Sequence, residues 1–216
     1  MVLLSGCAST TSIDDAKATL EELLPWPQFT EYRGIQKFPG DVFCGEFESP
    51  DINFRSVTGW RSFIVVAGKM GPSNSKEAVT IYCSEDPALS LFETLGISLT
   101  ETTNKNLTKI QRDLSNLSLV IEEYQRLNKL YPLKEDGLDI LTRDGTVRGL
   151  LEDIPEDPWG RPYNYSSIQW GGSATAEYKL WTYGKDNSEG GKGENADISY
   201  KYLPYLSHVR SLLETP

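Results

Sequence analysis

The chain has 216 residues and a formal net charge of −10 at pH 7, which is enough length for one or two domains with cores of their own. The acidic balance argues against nucleic acid as a partner, because binding phosphates requires a basic face. The sequence has a single histidine, His208, which we expect at the surface, so histidine-based acid–base catalysis has little support.

The order Leu4-Ser5-Gly6-Cys7 resembles a bacterial lipobox, in which the cysteine is lipidated and becomes the mature N-terminus. The polar run over residues 8–12 is typical of a tether, and Ala8 resembles the residue found there in lipoproteins sorted to the outer membrane. Only six residues precede Cys7 and none is basic, so either the true start lies upstream or the chain was trimmed. The resemblance implies lipidation at Cys7, and a chance match is the alternative.

Residues 13–103 are predicted to form a small α+β domain. Residues 13–24 carry apolar side chains at helical spacing, with Ser12 as the N-cap and Pro25 as the stop. Runs typical of strands follow, separated by turn clusters rich in proline, glycine and asparagine. The predicted strands cover residues 41–47, 60–67 and 78–83.

Two further cysteines, Cys44 and Cys83, remain once Cys7 is assigned to the lipid. Both lie in predicted strands, and an exported protein meets an oxidising compartment. A disulfide between them would close a loop of about 40 residues and add roughly 3–4 kcal/mol of stability in the chain-entropy model. The main alternative is two buried free thiols. A catalytic thiol is less favoured, because no histidine is nearby in the sequence to activate it.

Two helices are predicted next, over residues 85–99 and from Leu107 onwards. The polar residues 100–105 between them are the expected domain boundary. The second helix is strongly amphipathic, because its apolar residues step by three and four positions. They are Leu107, Ile110, Leu114, Leu117, Ile121 and Tyr124. A helix laid across a small antiparallel sheet is favoured over a coiled coil, since a pair of strands follows.

Residues 157–200 follow a short helix and loop predicted over residues 137–151. The segment Asp157-Pro158-Trp159-Gly160-Arg161-Pro162 indicates a sharp turn before a strand, and residues 178–183 read as a second strand rich in aromatic residues. A loop with four glycines among oxygen-bearing side chains then runs from Gly184 to Asp197. A last helix is predicted over residues 203–213.

The loop over residues 184–197 is the one segment whose composition suggests chemistry. Its side-chain oxygens come from Asp186, Ser188, Glu189, Glu194, Asn195 and Asp197. Ca²⁺ accepts a mixed shell of carboxylates, amide oxygens and backbone carbonyls, and glycines let those carbonyls turn inward. The spacing is not that of an EF-hand, and a solvated, flexible acidic loop is the alternative.

An ordered series of motifs resembles the globular domain of the major pseudopilin of type II secretion systems. The series is Tyr131-Pro132, Gly137-Leu138 with Leu141, the Asp157-Pro158-Trp159-Gly160 turn with Pro162, Tyr163 and Tyr165, and the glycine-rich loop ending at Asp197-Ile198. It covers roughly residues 107–200. In that family the loop binds one Ca²⁺ that holds the C-terminal strands together. The resemblance carries this role to Asp186 and Asp197, with Asn195 where the family usually has a carboxylate; Tyr183 and Ser188 complete the ligand set.

The family's members begin with a long hydrophobic helix, and no segment here approaches the roughly 20 apolar residues that span a bilayer. We therefore do not expect this chain to polymerise as they do. The expected fold is α+β throughout, with a signal remnant and tether over 1–12, a disulfide domain over 13–103 and a pseudopilin-like domain over 104–216.

The sequence thus predicts a non-enzymatic lipoprotein of the outer membrane or periplasm, stabilised by Ca²⁺ and acting in secretion or envelope assembly. Its expected partners are the membrane, through the lipid, and envelope or secretion-system proteins; neither nucleic acid nor a small-molecule substrate is expected. A periplasmic binding or inhibitor module acting through the N-terminal domain is the alternative. A hydrolase using Glu122 and Glu123, or Asp153 and Asp157, is less consistent with the sequence, because adjacent helical carboxylates point apart.

Overall fold

The computed structural model describes residues 12–71, 75–98, 100–142, 151–168 and 177–214. They fall into two compact units, one within Met1–Leu91 plus Ser207–Pro216 and the other within Phe92–Leu206. Each unit combines helices with a small antiparallel sheet, which confirms the predicted α+β class. The boundary expected at residues 103 and 104 stays a prediction.

The first unit is built on a four-stranded antiparallel sheet in the order β1-β2-β3-β4. Its elements are helix α1 (Ile13–Glu21), strands β1 (Glu31–Phe38), β2 (Val42–Glu48), β3 (Arg61–Val66) and β4 (Lys69–Met70), and helix α2 (Lys76–Tyr82). Helix α1 begins where expected, because the Ser12 hydroxyl accepts from the Asp15 backbone N–H at 3.2 Å and the Asp15 carboxylate accepts from Ser12 N–H at 3.1 Å. Its buried face, Ala16 and Leu20, packs on Phe43, Phe63 and Val65 of the sheet.

The strand predicted over residues 78–83 is wrong, since residues 78–82 belong to α2 and Cys83 is its C-cap. Ser75 caps that helix by accepting from the Ala78 N–H at 3.2 Å, and Ala78, Ile81 and Tyr82 share its buried face. A short apolar run does not distinguish a strand from one turn of a buried helix by periodicity. Strand β1 was not predicted, because its residues are mostly polar and exposed.

The predicted disulfide between Cys44 and Cys83 is present. Cys44 lies in β2 and Cys83 directly follows α2, and their Cα atoms are 5.9 Å apart. The bond therefore ties the second helix of this unit to the middle of its sheet.

His208 is buried, which corrects the expectation of a surface residue. Its ring lies 4.8 Å from that of Tyr82, and its Nε2 has no hydrogen-bond partner among the described residues. A Cβ added at Gly40 would come within 2.6 Å of the imidazole, so Gly40 makes room for it. Burial lowers the pKa of His208, because the charged form is disfavoured away from water.

We expect acid to destabilise the chain through His208. Since the folded chain holds the ring neutral, the unfolded chain binds the extra proton at a pKa of about 6.5, and stability falls as the pH drops through that value. The unfolding free energy of the wild type relative to His208→Gln should decrease from pH 7 to pH 5, with a slope of at most about 1.4 kcal/mol per pH unit. Urea unfolding of both proteins measures this, and parallel pH profiles would contradict it.

The second unit consists of a long helix and a three-stranded antiparallel sheet in the order β5-β6-β7. Its elements are α4 (Glu101–Asn128), a 3-10 turn at Asp139–Leu141, β5 (Asn164–Ile168), β6 (Glu177–Thr182), a 3-10 turn at Gly193–Asn195, β7 (Ile198–Ser199) and a 3-10 turn at Tyr200–Tyr202. Two more helices, α3 (Pro87–Leu95) and α5 (Leu203–Glu214), match predicted helices and have residues in both units.

Helix α4 confirms the predicted amphipathic stripe. Five of its apolar residues are buried: Leu107, Ile110, Leu114, Leu117 and Ile121. The helix starts earlier than expected, because Thr100 caps it by accepting from the Thr103 N–H at 3.2 Å. Residues 100–105 are therefore the cap and first turn of α4 rather than an irregular link.

Helix α4 contacts strand β6, which favours a helix on a sheet over a coiled coil. Polar contacts reinforce this packing. Tyr163 donates to the buried carboxylate of Asp113 at 3.2 Å, and Tyr131 donates to Glu122 at 3.2 Å. The rings of Tyr178 and Tyr200 stack beside the same helix, with their centroids 4.7 Å apart. Burial raises the pKa of both tyrosines, and the charge of Glu122 raises it further.

Part of the helix and loop expected over residues 137–151 lies outside the described residues.

Candidate functional site

The glycine-rich loop over residues 184–197 connects β6 to β7 and closes on itself at its base. Lys185 N–H donates to the Glu194 carbonyl at 2.8 Å, and the Lys185 ammonium lies 2.7 Å from the Glu194 carboxylate. Gly184 has a φ of +70°, and a Cβ there would lie 2.6 Å from the Asn195 carbonyl carbon. Only glycine allows the two ends of the loop to approach so closely.

The turn at residues 157–162 is organised by the buried carboxylate of Asp157. One of its oxygens accepts from the Trp159 and Arg161 backbone N–H groups at 2.9 and 3.0 Å, and the other accepts from the Thr182 hydroxyl at 2.7 Å. Thr182 is the last residue of β6. Asp157 therefore ties the proline-rich turn to the strand from which the loop departs.

Arg161 extends this connection into the loop itself. Its guanidinium donates to the Gly184 and Lys185 carbonyl oxygens, the latter at 2.9 Å. The sequence predicted residues 157–162 only as a sharp turn, and it did not identify Arg161 as a residue that holds the loop. The signal in the sequence was a cationic side chain within a turn that precedes two strands. That signal does not say which carbonyl groups the side chain will reach.

Asp197 is the residue in the loop with the most unusual environment. Its Oδ2 accepts from the Gly190 N–H at 2.8 Å, while its Oδ1 is buried and has no hydrogen-bond partner among the described residues. Burial raises the pKa of this carboxyl, and the charges of Glu189 and Asp186 raise it further against the opposing effect of the Gly190 N–H. Carboxylates crowded in this way repel one another unless a cation lies between them.

The other predicted ligands lie around the same loop. Asp186 Oδ1 accepts from the Ser188 N–H at 3.1 Å, and the Ser188 hydroxyl donates to the Asp186 carbonyl at 3.4 Å. Asn195 ends the 3-10 turn facing Gly184. Tyr183 directly follows β6, and its ring packs against Trp181 with centroids 5.7 Å apart.

The donor set fits a hard cation only if backbone and neutral oxygens supply much of the shell. Across the described parts of the chain, no group of three or more His, Cys, Asp or Glu side chains is placed to hold a metal. Glu194 is engaged by Lys185, which removes one of the oxygens that the composition suggested. The buried, unpartnered Asp197 Oδ1 and the nearby charges of Asp186 and Glu189 fit a cation that accepts few carboxylates, as Ca²⁺ does. Sequence reasoning counted Glu189 in the loop but not in the ligand set.

The carboxylates of the hydrolase hypothesis are mostly occupied by the fold. Glu123 pairs with Arg126 at 2.6 Å, Glu122 accepts from Tyr131, and both oxygens of Asp157 are hydrogen-bonded. Asp153 is exposed. The predicted lipidation site, Cys7, lies outside the described residues.

Among the described helices, none is long and apolar enough to cross a bilayer.

One family model matches a segment within the second unit, and two known proteins are similar to part of the chain. The family model for type II secretion system (T2SS), protein G, matches residues 98–201. The type II secretion system core protein G of Pseudomonas aeruginosa is 30% identical over 101 residues, which are 43% of this chain and 68% of that protein. The corresponding protein of Vibrio cholerae is 33% identical over 98 residues, 42% of this chain and 64% of that protein.

A solved structure is similar to part of the chain. It is the major pseudopilin from the type 2 secretion system of enterohaemorrhagic Escherichia coli, with 24% identity and a TM-score of 0.37. The superposition covers 48% of this chain and 97% of that one. The chain spans about two thirds of the two curated relatives, and residues 12–97 lie outside the family match.

Proposed function

The chain belongs to the family of type II secretion system protein G, and we propose that it is a non-enzymatic protein of the cell envelope. In this proposal a lipid on Cys7 holds it at the outer membrane, facing the periplasm. Its second unit is stabilised by one Ca²⁺ and contacts proteins of a secretion system or of another envelope assembly.

The observation that carries the proposal is the extent of the family match. Residues 98–201 include all of α4, the whole β5-β6-β7 sheet and the loop over residues 184–197. Asp157 and Arg161 join the turn, the strand and the loop into one hydrogen-bonded body. The match therefore covers most of the second unit, including its long helix, its sheet and its loop, which supports a family-like structural role for that unit.

The calcium part of the proposal rests on the loop. Asp186 and Asp197 would supply the charged oxygens, and Asn195 and Ser188 would supply neutral ones. The ring of Tyr183 packs on Trp181. In this proposal Tyr183 would therefore contribute its backbone carbonyl rather than its phenol oxygen. Burial raises the pKa of Asp197, and the charges of Glu189 and Asp186 raise it further; the bound ion would offset these effects. It would thereby hold β6 and β7 at the base of the loop.

We propose a non-enzymatic role because most of the candidate carboxylates are already engaged within the fold. Glu122, Glu123 and Asp157 accept hydrogen bonds or pair with a cation inside the fold. A general acid or base must instead be free to reach a substrate. The binding and inhibitor alternative concerns the first unit, which the family match does not include.

The function is tested by capture from envelope extract of the natural source in the presence of calcium. The full, disulfide-bonded chain should retain secretion-system or other envelope-assembly proteins, and chelator should release them, because the second unit depends on the ion. Asp197→Ala should lose the same proteins, while Asp153→Ala, which removes an exposed carboxylate outside the loop, should keep them. Capture that is unaffected by Asp197→Ala and chelator would contradict the proposal and favour a role for the first unit.

A further inference from the structure

The first unit has a group of apolar side chains at its surface that are not part of its hydrophobic core. We call it the apolar patch, and it consists of the half-buried Trp26 together with the exposed Phe29, Ile52, Phe54 and Val57. Ile52 is 75% exposed and Phe54 52% exposed. The Phe54 ring contacts Trp26 and Phe29 edge-on, with centroids 5.5 and 5.0 Å apart. The three rings therefore form one continuous surface rather than isolated exposed residues.

The loop that carries the patch is fixed by an internal hydrogen-bond network. Asp51 Oδ1 accepts from the Asn53 and Arg55 N–H groups at 3.0 and 2.9 Å, and Oδ2 accepts from the Ser56 hydroxyl at 2.8 Å. These bonds lower the pKa of the Asp51 carboxyl. The Trp26 indole donates to the Asp51 carbonyl at 3.1 Å. This hydrogen bond joins the loop to the segment that carries Trp26 and Phe29.

Phe54 adopts a backbone conformation that favours glycine. Its φ is +57°, in the left-handed region, which a bulky side chain rarely occupies. The strain is not offset by burial, because half of the side chain faces solvent. Strained backbone conformations of this kind cluster at functional sites of proteins.

The patch is uncharged although the chain as a whole carries a net charge of −10. Residues 23–30 contain no Asp, Glu, Lys or Arg, and residues 49–59 contain one of each sign, Asp51 and Arg55. The Asp51 charge is turned into the loop by its three hydrogen bonds. A neutral, aromatic surface suits the interfacial region of a lipid bilayer, where indole and phenyl rings are favoured.

The position of the patch along the chain places it within reach of that bilayer. Four residues separate Cys7 from Ser12, so five peptide units span at most about 18 Å between them when extended. Helix α1 has nine residues and is about 14 Å long, and the segment with Trp26 and Phe29 follows it. A lipid on Cys7 would thus keep the first unit close enough for the patch to touch the membrane.

We propose that the apolar patch is a membrane-docking surface, in which Ile52, Phe54 and Val57 insert into the interfacial layer beside the lipid anchor. The inference rests on the lipid anchor of the proposed function for its biological setting, but insertion of the patch itself needs no acyl chain. The patch also orients the first unit on the membrane.

The test uses the full, disulfide-bonded chain with Cys7→Ala, so that binding is measured without an acyl chain. Flotation with phosphatidylcholine vesicles should show binding, and added phosphatidylglycerol should not increase it, because the chain is acidic and the patch neutral. Phe54→Gly should lower the vesicle partition coefficient about five- to tenfold, as expected for losing half of a buried phenylalanine side chain. Its melting temperature should not fall in proportion, since glycine suits the left-handed backbone.

Leu89→Ala is the matched control, because Leu89 is 54% exposed and lies outside the patch; it should leave the partition coefficient unchanged. Ile52→Ser provides a second variant should Phe54→Gly unfold the loop, and it should also weaken binding. The proposal is overturned if the chain with the intact patch does not bind the vesicles, or if both patch variants bind them as strongly as that chain does. It is also overturned if the patch variants lose a protein contact while their vesicle binding is unchanged. Incorporation of labelled fatty acid into wild type but not into Cys7→Ala, with the upstream sequence restored, tests the anchor separately.

Discussion

Calcium should raise the melting temperature of the chelator-stripped chain by about 5–10 °C. A ligand present at about 100 times its Kd stabilises the folded state by about 2.7 kcal/mol, and a chain of this size shifts by about 2–4 °C per kcal/mol. The physical reason is local, since the ion would satisfy the buried Asp197 Oδ1 and offset the charges of Asp186 and Glu189. Thermal unfolding followed by circular dichroism measures the effect.

Variants of the loop separate a specific site from general screening of an acidic protein. Asp186→Ala and Asp197→Ala should abolish the calcium response, and Asn195→Asp should strengthen it by adding a charged ligand. Asp153→Ala should keep it, because Asp153 is an exposed carboxylate outside the loop. Mg²⁺ should act weakly, since it demands a tight octahedron and keeps its waters. Identical melts in calcium and in chelator would falsify the site.

Removing the disulfide should destabilise the first unit by about 4 kcal/mol. Cys44 and Cys83 are separated by 39 positions, and a cross-link that closes a loop of this length restricts the unfolded chain by about that amount. The double variant Cys44→Ala/Cys83→Ala should therefore unfold at lower denaturant concentration than the oxidised wild type. Alanine is the appropriate replacement because Cys44 is buried in β2.

Reductant provides the internal control for this expectation. It should shift the unfolding of the wild type towards that of the double variant and leave the double variant unchanged. Calcium dependence should persist in the double variant, because the loop over residues 184–197 belongs to the other unit. Two freely alkylated thiols in exported protein, detected by mass spectrometry without reduction, would contradict the account of Cys44 and Cys83.

The helices with long periodic patterns could be predicted from the sequence, and the short ones could not. The stripe from Leu107 to Ile121 repeats over several turns, so its buried face was evident. Helix α2 has only seven residues, and its apolar positions fit a strand equally well until the cap at Ser75 is seen. Strand β1 has no apolar alternation to reveal it; it forms because β2 offers an unpaired edge.

The sequence predicted a loop over residues 184–197, which the structure shows between β6 and β7, but it did not predict the contacts within that loop; the metal site itself stays a prediction. Glycine spacing and oxygen-bearing side chains identified residues 184–197. The engagement of Glu194 by Lys185 and the reach of Arg161 depend on tertiary approach, which composition does not encode. His208 shows the same limit, because its burial requires the space that Gly40 leaves far away in the sequence.

The central claim is that the second unit is a protein G-like body stabilised by one calcium ion. Isothermal titration of the chelator-stripped full chain with calcium chloride tests it most directly. We expect saturable binding of one Ca²⁺ per chain, lost in Asp186→Ala and Asp197→Ala and kept in Asp153→Ala. No saturable binding, or binding that both loop variants retain, would contradict the claim.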